Sequence, residues 1–255
     1  MSYLVRQVLA VAVLVTGSVA ADAPYAGTWK FNPAKSQLAG DTVTFKKLPD
    51  GMLQFDNQGF VYKFRPDGKE YPNPMGGTVS WKAAGPDTWD VSNRLKDKVV
   101  NTLHVVVEGD KQTVAAKVMK PDGGTVDSTA NYDRVSGGPG LEGVWKSSEI
   151  KLPATVLQIS SDGAESVALK DESGFVVNGK FDGKDYAASG TLAGASYALS
   201  FKKVGDRSFE MTGKLDGKPF YQDVFTVSAD GKTLTDEGTP LNAKTETVKA
   251  VYERQ

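Results

Sequence analysis

Through both halves of the chain, apolar and polar residues alternate in short runs separated by turn residues. Phe60-Val61-Tyr62-Lys63-Phe64, Thr78-Val79-Ser80-Trp81-Lys82 and Thr88-Trp89-Asp90-Val91-Ser92 are such runs. A period of two with aromatic and β-branched residues on one face is that of a half-buried strand. Pro66-Asp67-Gly68-Lys69 and Gly85-Pro86-Asp87 read as turns between them. A longer apolar run, Val99 to Glu108, is broken by Gly109-Asp110-Lys111 and resumes from Thr113 to Met119. Asp122-Gly123-Gly124 then precedes a last run through Tyr132. The second half has the same rhythm, with Asp162-Gly163, Gly205-Asp206 and Asp230-Gly231-Lys232 at its turns. Beyond the N-terminus no window long enough for a helix carries a 3.6-residue period. The pattern predicts an all-β protein with roughly eight or nine short antiparallel strands per half, closed as up-and-down barrels.

The two halves are copies. Gly27-Thr28-Trp29-Lys30 recurs as Gly143-Val144-Trp145-Lys146, and Asp67-Gly68-Lys69-Glu70-Tyr71 as Asp182-Gly183-Lys184-Asp185-Tyr186. Thr88-Trp89-Asp90-Val91 recurs as Ser208-Phe209-Glu210-Met211, and Asn131-Tyr132-Asp133-Arg134 as Val251-Tyr252-Glu253-Arg254. The widening of the offset along the chain places a short insertion between Ala187 and Ser196. Four anchors in one order point to a tandem duplication of domains 22–135 and 141–255. Residues 136–140, Ser-Gly-Gly-Pro-Gly, form the linker between them.

The N-terminus differs from the rest. Arg6 is followed by the uncharged run Val8 to Val15, and Ser18-Val19-Ala20 fits a small-x-small cleavage site. Residues 1–21 therefore read as a signal peptide cleaved near Ala20/Ala21, which implies a periplasmic or extracellular protein. The run is too short for the roughly 20 residues that span a bilayer, so an integral membrane protein is not expected. With 30 Lys+Arg against 31 Asp+Glu, the charge balance gives no support to nucleic-acid binding. Zero Cys and one His exclude disulfides, thiolate sites and multi-histidine metal sites, and no metal or cofactor is expected.

A Gly-x-Trp on the first strand with an Arg on the last resembles the signature of lipocalin-like (calycin) barrels. Here the residues are Gly27-Thr28-Trp29 with Arg134, and Gly143-Val144-Trp145 with Arg254. The opening Gly-Thr-Trp-Lys-x-Asn-Pro-x-Lys-Ser, Gly27 to Ser36, is also similar to a group of uncharacterised secreted bacterial proteins. The resemblance implies two tandem lipocalin-like barrels. It implies that Trp29, Arg134, Trp145 and Arg254 close the barrel ends, each Arg lying over a Trp face.

Few residues offer chemistry. His104 shares a strand face with Thr102 and Val106, opposite the apolar Leu103-Val105-Val107 face, and is expected to point to solvent. Trp81 and Trp89, with their counterparts Phe201 and Phe209, alternate with Val79 and Val91 and are expected inside. Aromatics there either fill a small barrel or wall a ligand site. Tyr197 falls on the same inward face as Leu199. Tyr132 and Tyr252 share a face with Arg134 and Arg254, and fatty-acid carriers use a related Arg/Tyr pair to hold a carboxylate. The ligand-binding candidates are thus Trp81, Trp89, Tyr132, Phe201, Phe209 and Tyr252. Neighbouring carboxylates such as Asp171/Glu172 and Asp236/Glu237 point to opposite strand faces and give no acid/base pair. No catalytic residue can be assigned.

The reading is an exported protein that binds a small apolar or amphipathic molecule without catalysis. The alternatives are a structural or interaction module with side-chain-filled barrels, or a carboxylate/Tyr enzyme (isomerase, cyclase or hydrolase) at a barrel mouth. Oligomeric state is not encoded in any of these features.

Overall fold

The computed structural model describes residues 23–162, 165–190, 194, 196–241 and 247–255. The predicted signal peptide, 1–21, and part of the predicted insertion between Ala187 and Ser196 lie outside the described residues. Twenty strands are found among the described residues. The first ten are β1 (Gly27–Phe31), β2 (Thr42–Lys47), β3 (Leu53–Asn57), β4 (Phe60–Phe64), β5 (Asp67–Pro72), β6 (Thr78–Gly85), β7 (Thr88–Leu95), β8 (Lys98–Glu108), β9 (Lys111–Met119) and β10 (Thr125–Ser136). The second ten are β11 (Gly143–Lys151), β12 (Val156–Ser160), β13 (Ser166–Lys170), β14 (Val176–Lys180), β15 (Tyr186–Ala187), β16 (Tyr197–Gly205), β17 (Ser208–Leu215), β18 (Lys218–Val227), β19 (Thr233–Pro240) and β20 (Val248–Arg254). The alternation behaves as expected. In β9, Gln112, Val114, Ala116 and Val118 are buried, while Lys111, Thr113, Ala115 and Lys117 are exposed.

The strands form two antiparallel, nearly closed ten-stranded sheets, but the halves do not each make their own. One sheet runs β4-β3-β2-β11-β10-β9-β8-β7-β6-β5 and the other β14-β13-β12-β1-β20-β19-β18-β17-β16-β15. The first strand of each repeat is exchanged: β1 lies between β12 and β20, and β11 between β2 and β10. The expected partition 22–135 and 141–255 is corrected accordingly, since Gly27–Phe31 belongs to the second barrel and Gly143–Lys151 to the first. No hairpin turn joins β1 to β2 or β11 to β12. Pro33 and Pro153 stand just past β1 and β11, where the missing N–H and fixed φ discourage a continuing ladder. The chain instead crosses to the other sheet.

This exchange re-pairs the barrel caps. Arg254 lies 4.1 Å over the Trp29 ring and Arg134 lies 4.0 Å over the Trp145 ring. The pairing expected from the order of the repeats, Trp29 with Arg134 and Trp145 with Arg254, is therefore not the one formed. Arg134 also donates to the carbonyls of Gly109, Gly138, Gly140 and Glu142, and its Nε lies 3.0 Å from Asp110 Oδ1. Arg254 donates to Pro24, Ala26 and Gly231. Each Trp indole donates to a carbonyl four residues earlier, Trp29 to Tyr25 and Trp145 to Leu141. The glycine of the Gly-x-Trp motif has a physical cause. Gly27 has φ +147°, and a Cβ there would sit 2.5 Å from Arg254 Nη1.

The barrels meet at the ends remote from these caps, where the chain crosses. There Ser196 Oγ, just before β16, donates to the Pro74 carbonyl, between β5 and β6, at 2.6 Å. Asp67–Tyr71, expected as a turn, is part of β5, with a register shift between Asp67 and Glu70 that absorbs the Asp-Gly pair. Tyr71 Oη donates to Asp67 at 3.1 Å and Tyr186 Oη to Asp182 at 3.0 Å, so the repeated motif is a local Asp–Tyr clamp.

Candidate ligand-binding site in the first barrel

Inside the first barrel is a cavity of about 120 Å³. One wall is aromatic, built by inward positions of β2, β3, β4 and β6. Trp81 stacks on Phe64 (centroids 4.6 Å apart) and meets Phe45 edge-on at 5.6 Å, while Phe55 stacks on Tyr62 at 4.8 Å. The Trp81 indole donates to Tyr62 Oη at 3.1 Å. Burial pushes the Tyr62 phenol well above its ordinary range, with the Trp81 bond opposing, so Tyr62 stays neutral. Valines of β8 and β9 supply the opposite wall.

Polar groups interrupt this lining at defined places. Asn93 Nδ2 donates to Asn101 Oδ1 at 2.7 Å, and Asn73 Oδ1 accepts from the backbone of Met75 and Gly77, shaping the turn after β5. Asn57 is 1% exposed and donates through Nδ2 to Asp41 Oδ2 at 3.4 Å. Its Oδ1 has no protein partner, and neither does Nε2 of Gln112, which is 2% exposed. Asp41 sits beside Asn57 but off the cavity wall. Burial raises its carboxyl above the ordinary range, opposed by hydrogen bonds from Ser147 and Asn57. Burial likewise raises the Tyr132 phenol, reinforced by the charge of Asp41. No charged side chain is among the described residues lining the cavity.

Strand register shows how the barrels differ. In the first, Tyr132 is paired with Gln112 on one side and Ser147 on the other, and Ser147 N donates to the Asp41 carbonyl. In the second, Tyr252 is paired with Leu234 and Phe31, and Phe31 N donates to the Thr155 carbonyl. Gln112, Ser147 and Asp41 thus occupy the places held by Leu234, Phe31 and Thr155. The Asn93–Asn101 pair likewise corresponds to Gly213 and Tyr221, which face each other across β17 and β18.

The sequence candidates fall in different places. Trp81 and Tyr132 line the cavity. Trp89 is half-buried near the start of β7, packs against the core, and is not part of the cavity lining. Phe201 and Phe209 are buried in the second barrel, where Phe209 stacks on Phe225 at 4.8 Å and meets Tyr25 edge-on. Tyr252 packs edge-on against Phe31 at 5.5 Å. Tyr197 is buried and hydrogen-bonds Tyr221 Oη. Arg134 and Arg254 are engaged by carbonyls and Trp rings at the barrel ends, so neither forms the carboxylate-holding Arg/Tyr pair expected with Tyr132 or Tyr252. His104 is exposed, with Nδ1 2.8 Å from Asp90 Oδ1. Among the described residues no cluster of three or more His, Asp or Glu could hold a metal ion, and no helix is long and apolar enough to cross a membrane.

Asn57 and Gln112 were not among the candidates. The signal for Gln112 is its inward place in the Gln112-Val114-Ala116-Val118 alternation, where a polar residue is out of pattern.

No protein-family model matches the chain, and no curated protein does. Among solved structures the chain is similar to a protein of unknown function from the DUF3598 family of Nostoc punctiforme. Identity is 10%, covering 91% of this chain and 97% of that one, with a TM-score of 0.21. So slight a likeness carries no function across.

Proposed function

We propose that this is an exported, non-catalytic binding protein whose first barrel holds a small apolar or amphipathic molecule. The observation that carries the reading is the first-barrel cavity, aromatic on one side and bearing two buried carboxamides with unpartnered atoms. An unmet buried donor or acceptor destabilises a fold by about 1–3 kcal/mol, and a ligand in this cavity that hydrogen-bonds these carboxamides would offset that cost. Within the site, Trp81 and Tyr132 contact the ligand, while Phe201, Phe209 and Tyr252 serve packing in the second barrel. The enzyme reading is weaker, since Asp41 stands behind Asn57 instead of facing the cavity.

Native mass spectrometry of protein purified without detergent, followed by solvent extraction, tests this reading. A stoichiometric small-molecule adduct supports it. A clean apo mass, together with no binding across lipids, isoprenoids and pigments, would favour filled barrels. Export rests on the N-terminal sequence alone, and the intact mass of protein from the native host tests it. A mature chain starting near Ala21 is expected.

A further inference from the structure

Resting on that reading of the first barrel, we propose that its ligand is a small neutral molecule. It has a compact apolar body, such as one aromatic ring, and one group that both donates and accepts a hydrogen bond. Phenols, aromatic alcohols and carboxamides have this chemistry; carboxylates do not.

Size sets the first limit. A cavity of about 120 Å³ is of the order of the apolar cavities that take up benzene, and far too small for a long-chain lipid. Charge sets the second. The lining among the described residues holds no cation, and Arg134, two residues from the cavity-lining Tyr132 on the same strand, is fixed over Trp145 by carbonyls. Bringing a carboxylate into this cavity would leave it unpaired among aromatic rings, which is strongly unfavourable.

The polar groups set the third limit. The Asp41 carboxylate accepts from Asn57 Nδ2 and thereby fixes which way the amide faces, leaving Oδ1 as an acceptor without a donor. Gln112 contributes the complementary group, an N–H donor without an acceptor. Both side chains line the same cavity. A hydroxyl or carboxamide can donate to Oδ1 or accept from Nε2, while the rest of the molecule packs on Trp81, Phe45 and Phe55. The second barrel carries Leu234 where the first has Gln112, so the fold itself does not require a polar side chain at this position.

The test compares three probes of nearly equal shape against the full mature chain by calorimetry and ligand-observed NMR at pH 7.5: p-cresol, toluene and 4-methylbenzoate. The expected result is p-cresol binding about tenfold or more tighter than toluene, with 4-methylbenzoate weakest, as for sites built to hydrogen-bond a hydroxyl. Gln112→Leu should reduce the preference for p-cresol to about threefold or less while toluene still binds. Its unfolding transition checks that the variant folds, and the three-probe comparison on the parent stands without it.

Equal affinities for p-cresol and toluene would overturn the proposed ligand class but leave a binding barrel. So would 4-methylbenzoate as the tightest probe, or undiminished p-cresol preference in a folded Gln112→Leu. If no probe binds but the native protein carries another adduct, the class falls and the barrel reading stands. If no probe binds and no adduct is found, both fall.

Discussion

Arg254, on the last strand, lies 4.1 Å over the ring of Trp29, on the first strand of the chain. The same geometry joins Arg134 to Trp145 at 4.0 Å. Each guanidinium also gathers backbone carbonyls from the segments that enter and leave its barrel end. The caps therefore tie the exchanged strands in place as well as covering the core.

Removing a cap should show this directly. Arg134→Met keeps much of the side-chain bulk but strips four carbonyls of their donor, and the Arg134 side chain is only 8% exposed. Charge-assisted hydrogen bonds and the cation–π contact together predict a loss of about 2–4 kcal/mol in urea unfolding. Arg254→Met is expected to act in the same direction on the second barrel. A loss below about 0.5 kcal/mol at Arg134 would show that the cap is ornamental.

Strand exchange predicts that the linker at residues 136–140 can be cut without separating the halves. After cleavage there, 22–135 and 141–255 should co-elute in gel filtration under native conditions, because each barrel contains a strand from both pieces. Expressed alone, either piece lacks the strand that closes its barrel and should give poorly dispersed NMR spectra until the other is added. Two well-folded, non-associating pieces would contradict the topology.

Gly213→Ala probes the interior of the second barrel. A Cβ at Gly213 would sit 2.1 Å from Tyr221 Cε1, so the Tyr221 ring must move and its bond to Tyr197 must break. Overpacking of this kind costs about 1–3 kcal/mol. Thermal unfolding and the loss of near-UV tyrosine ellipticity would report it.

Asp41 should make stability depend on pH in a predictable sense. Burial holds its carboxyl above the ordinary value of 3.8, opposed by hydrogen bonds from Ser147 and Asn57. The folded state therefore binds this proton more tightly than the unfolded chain. The carboxyl costs stability as pH rises from 3.8 through its folded pKa, and the cost is constant above that. Asp41→Asn retains an oxygen for Asn57 Nδ2 and removes the charge. Its stability relative to the parent should increase from pH 4 to pH 8, by about 1.4 kcal/mol for each tenfold difference in proton affinity between the two states. Urea midpoints across that range check it, and a difference that does not vary with pH would contradict it.

Strands and most turns were legible because their causes are local, namely a period of two and Asp-Gly pairs that tolerate positive φ. Asp67–Tyr71 was misread because Asp-Gly also serves at a register shift inside a strand. The cap residues were legible as a set but not as pairs. The two copies carry the same Gly-x-Trp and terminal Arg, so Trp29 suits Arg134 as well as Arg254, and only the crossing of the chain after Phe31 decides between them. His104 pointed outward as its strand face required. Asn57 stayed hidden because it ends its strand beside turn residues, where a polar side chain is unremarkable until register places it inside, whereas Gln112 left one trace, a break in the inward apolar alternation of its strand. Trp89 went the other way, since alternation alone cannot show that a position near a strand's start misses the cavity.

The exchanged strands also bear on molecularity. A single repeat with this topology would have to lend its first strand to another chain and receive one in return, which is a symmetric dimer formed at a concentration-dependent cost. With both repeats on one chain, residues 136–140 hold the partner at a fixed, high effective concentration. Barrel closure in this protein is therefore insensitive to dilution, and the symmetry that a dimer would have to keep is released. That freedom is what allows one barrel to carry Gln112 at a position where the other carries Leu234.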